Sequence, residues 1–136
     1  MKQKIIIVND LKRIIFQLNK NIFTILLLKI KKNPNYIRYI QNPSYKLQKL
    51  AVTQWGNVIY YIKNPSYELQ KIAVTQYGIS IAYIKNPSYE LQKLAVTENG
   101  RAIRYIQNPS YNIQKIAVTQ DMLLNILKNH LLKYRD

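Results

Sequence analysis

The chain contains no cysteine, so disulfides and thiolate metal sites are excluded, stability must come from packing, and a reducing compartment is permitted. It has one histidine, His130, and three glycines. A lone histidine between Asn129 and Leu131 reads as a surface residue, and so few glycines leave no Gly-rich phosphate loop. Acidic residues are also scarce, 6 Asp plus Glu against 21 Lys plus Arg, for a net charge of +15. Glu68 and Glu90 each precede a lysine, Lys71 and Lys93, by three residues, the spacing of ordinary helix ion pairs rather than of a paired-acid site. No nucleophile motif or metal-ligand cluster is present, so the chain reads as non-enzymatic, with no cofactor and no metal. Long hydrophobic runs are missing too. Ile5 to Val8 is cut off by Asn9-Asp10-Leu11-Lys12-Arg13, and Ile22 to Leu28 by Lys29, Lys31 and Lys32. Neither suffices for a signal peptide or a membrane span, so a soluble, cytoplasmic protein without a membrane partner is expected.

What the sequence does have is repetition. Tyr39, Tyr61, Tyr83 and Tyr105 open copies 22 residues apart, each continuing through Asn-Pro-Ser-Tyr, Leu or Ile, Gln-Lys, Leu or Ile, and Ala-Val-Thr. A fixed period of this length marks stacked repeats. The expected organisation is a single domain over 1–136: an N-terminal cap and diverged repeat at 1–38, four 22-residue repeats at 39–120 with the last incomplete, and a capping helix at 121–136.

In the cap, Asn9 or Asp10 starts a predicted helix with Leu11, Ile14, Ile15 and Leu18 on one face, and a second helix runs from about Ile22 to Lys31. Ile25 to Ile30 aligns with Leu47 to Val52 one period later, and an extra Asn-Pro-Asn-Tyr at 33–36 replaces the later Trp55-Gly56-Asn57-Val58. In each full copy either Asn-Pro or the following Ser can start a helix, which begins near residue 65 or 67 and ends at about Gln76. Gly78 is suited to the left-handed position after it. Residues 78–85 are predicted as a shorter helix, although their β-branched and aromatic content also fits a strand. On the longer helix Leu69, Ile72 and Ala73 form a core stripe, Tyr67 and Val74 lie roughly opposite, and Glu68, Lys71 and Thr75 face solvent. In the last helix Asp121 stands at the start, with Lys128, His130, Lys133 and Arg135 outside or at the end.

The unit Tyr-Ile-Lys-Asn-Pro-Ser-Tyr-Glu-Leu-Gln-Lys-Leu-Ala-Val-Thr resembles short α-helical repeats in proteins of bacteriophages and giant DNA viruses, and more loosely HEAT-like and variant leucine-rich repeats. The likeness covers about Tyr39 to Gln120. It implies an all-α fold, a right-handed α-solenoid of stacked two-helix repeats between capping helices, a viral or mobile-element origin with action inside the host cell, and no catalytic residues. Where such repeats often carry Glu, this chain has Tyr45, Tyr67, Tyr89 and Tyr111, which cannot close a capping box. These rings are either packed or displayed.

Two partner classes follow. Nucleic acid, or a nucleoprotein complex, would be met by Lys49, Lys71, Lys93 and Lys115, one per repeat, with Lys46 and the basic N-terminal end that includes Lys29, Lys31, Lys32 and Arg38. Residues 1–38 hold nine basic groups against Asp10 alone. The opposing reading is that the lysines are solvated groups copied with the unit, in a chain whose Ile, Lys and Asn content is what AT-rich coding favours. A protein partner would instead meet the variable edge, with Trp55, Tyr60, Tyr77, Arg101 and Arg104 as anchors. An inhibitor of a host defence complex, such as a CRISPR effector, is its concrete form. Tyr39, Tyr61, Tyr83 and Tyr105 are expected to pack between repeats.

Overall fold

A computed structural model describes residues 2–133, with side-chain surroundings described for 10–123 and 125. Five α-helices alternate with four 3-10 helices: α1 (Lys2–Lys32), η1 (Pro34–Tyr39), α2 (Tyr45–Gln54), η2 (Gly56–Tyr61), α3 (Tyr67–Gln76), η3 (Gly78–Tyr83), α4 (Tyr89–Glu98), η4 (Gly100–Tyr105) and α5 (Tyr111–Lys133). No strand occurs among the described residues. Each α-helix packs on the next and each 3-10 helix on the next, so the repeats form two layers joined along their length by α–η contacts. The all-helical repeat stack expected from the period is what the chain forms.

The short element at 78–85 is neither a strand nor an α-helix. It is the 3-10 helix Gly78–Tyr83, followed by Ile84 with extended φ of −104°, whose N–H donates to Ile81 O. Six residues rich in Ile and Tyr tolerate this tighter turn because it is brief and its apolar side, Ile81 and Ile84, is buried.

Two terminal features depart from the sequence reading. Asn9 and Asp10 start nothing, because α1 is one helix of 31 residues rather than two. The last repeat and the segment from Asp121 likewise merge into α5, with no break at Asp121. Arg135 lies outside the described residues, and the side chains of Lys128, His130 and Lys133 lie outside the described ones.

The repeat starts each α-helix with Ser rather than Asn. Ser66 and Ser88 are extended N-caps accepting from Leu69 N and Leu91 N at 3.4 and 3.3 Å, and Ser110 accepts from Ile113 N at 3.4 Å. The Asn two residues earlier takes the left-handed conformation, with φ of 48° at Asn42, 52° at Asn64, 51° at Asn86 and 49° at Asn108. Asparagine is among the few non-glycine residues that visit this region readily. The Pro between them presents its carbonyl to a glutamine side chain five residues on: Gln48, Gln70, Gln92 and Gln114 Nε2 donate to Pro43, Pro65, Pro87 and Pro109 O at 2.7–3.0 Å.

The glycines do not adopt positive φ. A Cβ at Gly56, Gly78 or Gly100 would stand 2.6, 2.5 or 2.7 Å from the carbonyl oxygen of Ala73, Ala95 or Ala117 in the next repeat. Glycine is therefore required by close approach between repeats. The core runs the length of the stack through Ile37, Leu47, Val52, Ile59, Leu69, Val74, Ile81, Leu91, Val96 and Ile113. Ile72 of the expected stripe is only partly buried, whereas Val74 is fully buried under the following repeat.

Candidate nucleic-acid interface and aromatic edge

Lys49, Lys71, Lys93 and Lys115 are exposed at equivalent positions of α2, α3, α4 and α5. Helix-on-helix packing sets neighbouring members about 8–10 Å apart. Their acidic neighbours are arranged differently from the i,i+3 expectation. Glu68 reaches back to the preceding repeat, where its Oε1 accepts from Lys49 Nζ at 2.7 Å, and it makes no ion pair with Lys71. Tyr45 also donates to Glu68. The hydrogen bonds from Lys49 and Tyr45 hold the Glu68 carboxyl below the ordinary carboxylate range and push Lys49 and Tyr45 upward, with Glu68 as the main cause for both. Among the described residues the ion pairs are this one and Arg13–Asp10, so Lys71, Lys93 and Lys115 carry their charge without an acidic side chain within bonding distance.

The tyrosines at the head of each α-helix are displayed. Tyr67 and Tyr89, 53% and 45% exposed, line a shallow groove of about 570 Å³ between α3 and α4, together with Lys71, Glu90, Lys93 and Thr97. Two exposed tyrosine rings and two lysines thus line one trough. The Thr97 hydroxyl is turned back onto Lys93 O at 2.8 Å.

The remaining basic residues do not all join this row. Lys46 lies 5.6 Å from the centroid of the Phe23 ring, beside α1. Lys29 Nζ donates to Tyr36 Oη at 3.0 Å, and Lys31 and Lys32 end α1 exposed. Arg38 lies in η1, in the other layer, where it sits over Tyr39 at 4.6 Å and hydrogen-bonds Tyr39 and Tyr61, contacts that raise its pKa further.

The η layer carries the second surface. Tyr39, Tyr61, Tyr83 and Tyr105 are exposed rather than packed away between repeats, although Tyr83 meets Tyr60 of the preceding repeat edge-on, ring centroids 5.4 Å apart. Trp55, 47% exposed, closes α2 and opens η2, and borders two shallow pockets, one with Tyr60, Tyr61 and Tyr83 and one with Gln76 and Tyr77. Trp55 thus borders one pocket with Tyr60 and another with Tyr77, while Arg101 and Arg104 are exposed on η4, outside both.

Sequence reasoning missed Ser80. It is fully buried, and its hydroxyl donates to Asn57 Oδ1 at 2.9 Å, tying η3 to η2. The available signal was that Ser80 alone breaks the apolar pattern of Val58 and Ala102 at the same repeat position. Among the described residues no cluster of His, Asp or Glu could hold a metal ion, and no helix is long and apolar enough to cross a membrane. Comparisons with protein-family models, curated proteins and solved structures return no match to this chain.

Proposed function

We propose that this protein is a non-catalytic helical-repeat scaffold, a right-handed solenoid with capping terminal helices, that binds single-stranded nucleic acid or a nucleoprotein presenting it. The observation carrying this reading is the groove in which Tyr67 and Tyr89 lie beside Lys71 and Lys93, a pairing the repeat reproduces at Tyr111 and Lys115. Bases stack on aromatic faces while cations track the backbone, a combination that tolerates any sequence. Because Lys49 is tied to Glu68, the strand path favours α3 to α5 over the N-terminal end.

Fluorescence-anisotropy titration with single-stranded and duplex oligonucleotides at about 50 and 200 mM salt tests the proposal. Tight binding with a steep salt slope is expected. Changing Lys71, Lys93 and Lys115 together to Ala should flatten that slope by about 2, at about 0.7 per single-strand phosphate contact. Tyr89→Ala should cost about 1–3 kcal/mol on single strands and little on duplex. Absence of binding at low salt overturns it.

The two pockets bordered by Trp55, one with Tyr60 and one with Tyr77, favour a second reading, a protein partner held at the aromatic edge, of which an inhibitor of a host defence complex is the concrete version. Such a complex should survive moderate salt and be lost on Trp55→Ala or Tyr77→Ala. Block of target cleavage by a purified CRISPR effector, abolished by Trp55→Ala, would support that version.

A further inference from the structure

Burial shows which neighbour covers each apolar position. Leu47, Leu69, Leu91 and Ile113 share one repeat position and are all buried, Ile113 included although α5 is the last element among the described residues, so the preceding repeat covers them. Ile25, their counterpart on α1, is 53% exposed, with no repeat packed before it among the described residues. It continues a stripe of exposed residues, Leu11, Ile14, Ile15, Leu18 and Ile22, at the three- and four-residue spacing of one helical face. The stripe from residue 11 to 25 is about 21 Å long at 1.5 Å per residue. α1 docks on the stack through a different side, Phe23, Leu26, Leu27 and Ile30. That side lies about 120° round the helix from the stripe, so the stack does not shadow it.

A second copy of the chain is a poor occupant for two reasons. Regular stacking brings a glycine of one repeat against the carbonyl of an alanine in the next, but at the two ends those positions are Met122 and Lys29. Lys29 offers the same backbone carbonyl, but the Cβ of Met122 obstructs the approach. Residues 10–32 also carry six basic groups against Asp10, so two such helices side by side repel. An anionic surface meets both conditions: it accepts apolar side chains without needing a complementary helix, and it attracts Lys12, Arg13, Lys20, Lys31 and Lys32.

We propose that α1 is an interfacial helix that lays its Leu11–Ile25 stripe into the headgroup region of anionic lipid membranes. The expectation of no membrane contact rested on the lack of a span, and a helix lying in the membrane plane needs none. Apolar insertion of one face and a basic polar face, here Arg13, Lys20 and Lys31 roughly opposite the stripe, are the two signals that together anchor a peripheral protein. This surface is separate from the lysine–tyrosine groove of α3 to α5.

Co-sedimentation of the full chain with vesicles of phosphatidylcholine alone, or with a third phosphatidylserine, tests this. Binding to the anionic vesicles is expected, at least about tenfold tighter than to neutral ones. Leu18→Asp with Ile22→Asp should weaken it by about 100-fold or more, on the scale of two lost side-chain insertions. Both positions are exposed, so the fold, followed by circular dichroism, should persist. Lys12→Gln with Lys20→Gln should weaken anionic binding without altering the stripe. Ile15→Trp, in a Trp55→Phe background, should give an emission that shifts to the blue on anionic vesicles. Absence of vesicle binding, or binding indifferent to Leu18→Asp and Ile22→Asp, overturns the proposal. So does a dimer in analytical ultracentrifugation that Leu18→Asp dissociates, which would assign the stripe to a second copy.

Discussion

Single residues set the distance between repeats. Gly78 sits where a Cβ would be 2.5 Å from Ala95 O, and because that atom is backbone it cannot rotate away. Gly78→Ala should destabilise the protein by about 1–3 kcal/mol in urea denaturation, since relief requires the two repeats to part. The Lys49–Glu68–Tyr45 contact gives a pH signature. Glu68 is held below its ordinary range in the folded chain, so its contribution to stability is present above the unfolded carboxylate pKa and is lost as pH falls through the lower folded value. All three groups are solvent-exposed, so the effect on stability should be small and is better read directly. In a carboxyl NMR titration, Lys49→Gln should move the Glu68 midpoint upward toward the ordinary carboxylate value. An unchanged midpoint would show the pair to be unformed in solution.

At the scale of the element, Asn-Pro-Ser divides its labour in a way spacing alone left open. Ser caps, Pro offers its carbonyl to the glutamine five residues on, and Asn turns the chain through positive φ. Denaturation of three variants separates these roles. Ser88→Ala should cost about 1 kcal/mol as a lost cap. Asn86→Ala should cost about 1–2 kcal/mol because its Cβ is strained at φ 51°, whereas Asn86→Gly should be close to neutral. The α-helix over 67–76 was legible because capping and periodicity both act within ten residues. The 3-10 helix was not, because its i→i+3 bonding is imposed by packing against the neighbouring repeats, and composition alone left helix and strand competing.

For the whole molecule, contacts between nearest neighbours make the stack close to a one-dimensional sum. Deleting residues 67–88 joins Ser66 to Tyr89 and keeps every Asn-Pro-Ser-Tyr intact. The shortened chain should still fold cooperatively, with a helical circular dichroism signal and a lower urea midpoint. Loss of the cooperative transition would show that the repeats are not interchangeable. The two faces of the molecule also separate at this scale: the lysine row lies in the α layer, while Arg38 and the Trp55 pockets lie with the η layer. Residues grouped in the sequence by charge alone were thereby divided between surfaces.

The sequence by itself determined the period, the helical class, the end of the α-helix within each repeat and the once-per-repeat lysines, because each is written in local spacing that copying preserved. Tertiary structure decided which chain end covers which apolar position, and so left the stripe on α1 open where Leu47 and its counterparts are covered. It also decided that Glu68 bonds across to Lys49 rather than along its own helix, and that glycine answers to a carbonyl in the next repeat. Those outcomes depend on residues about 17 to 22 positions apart being pressed together, a relation that a single repeat does not contain.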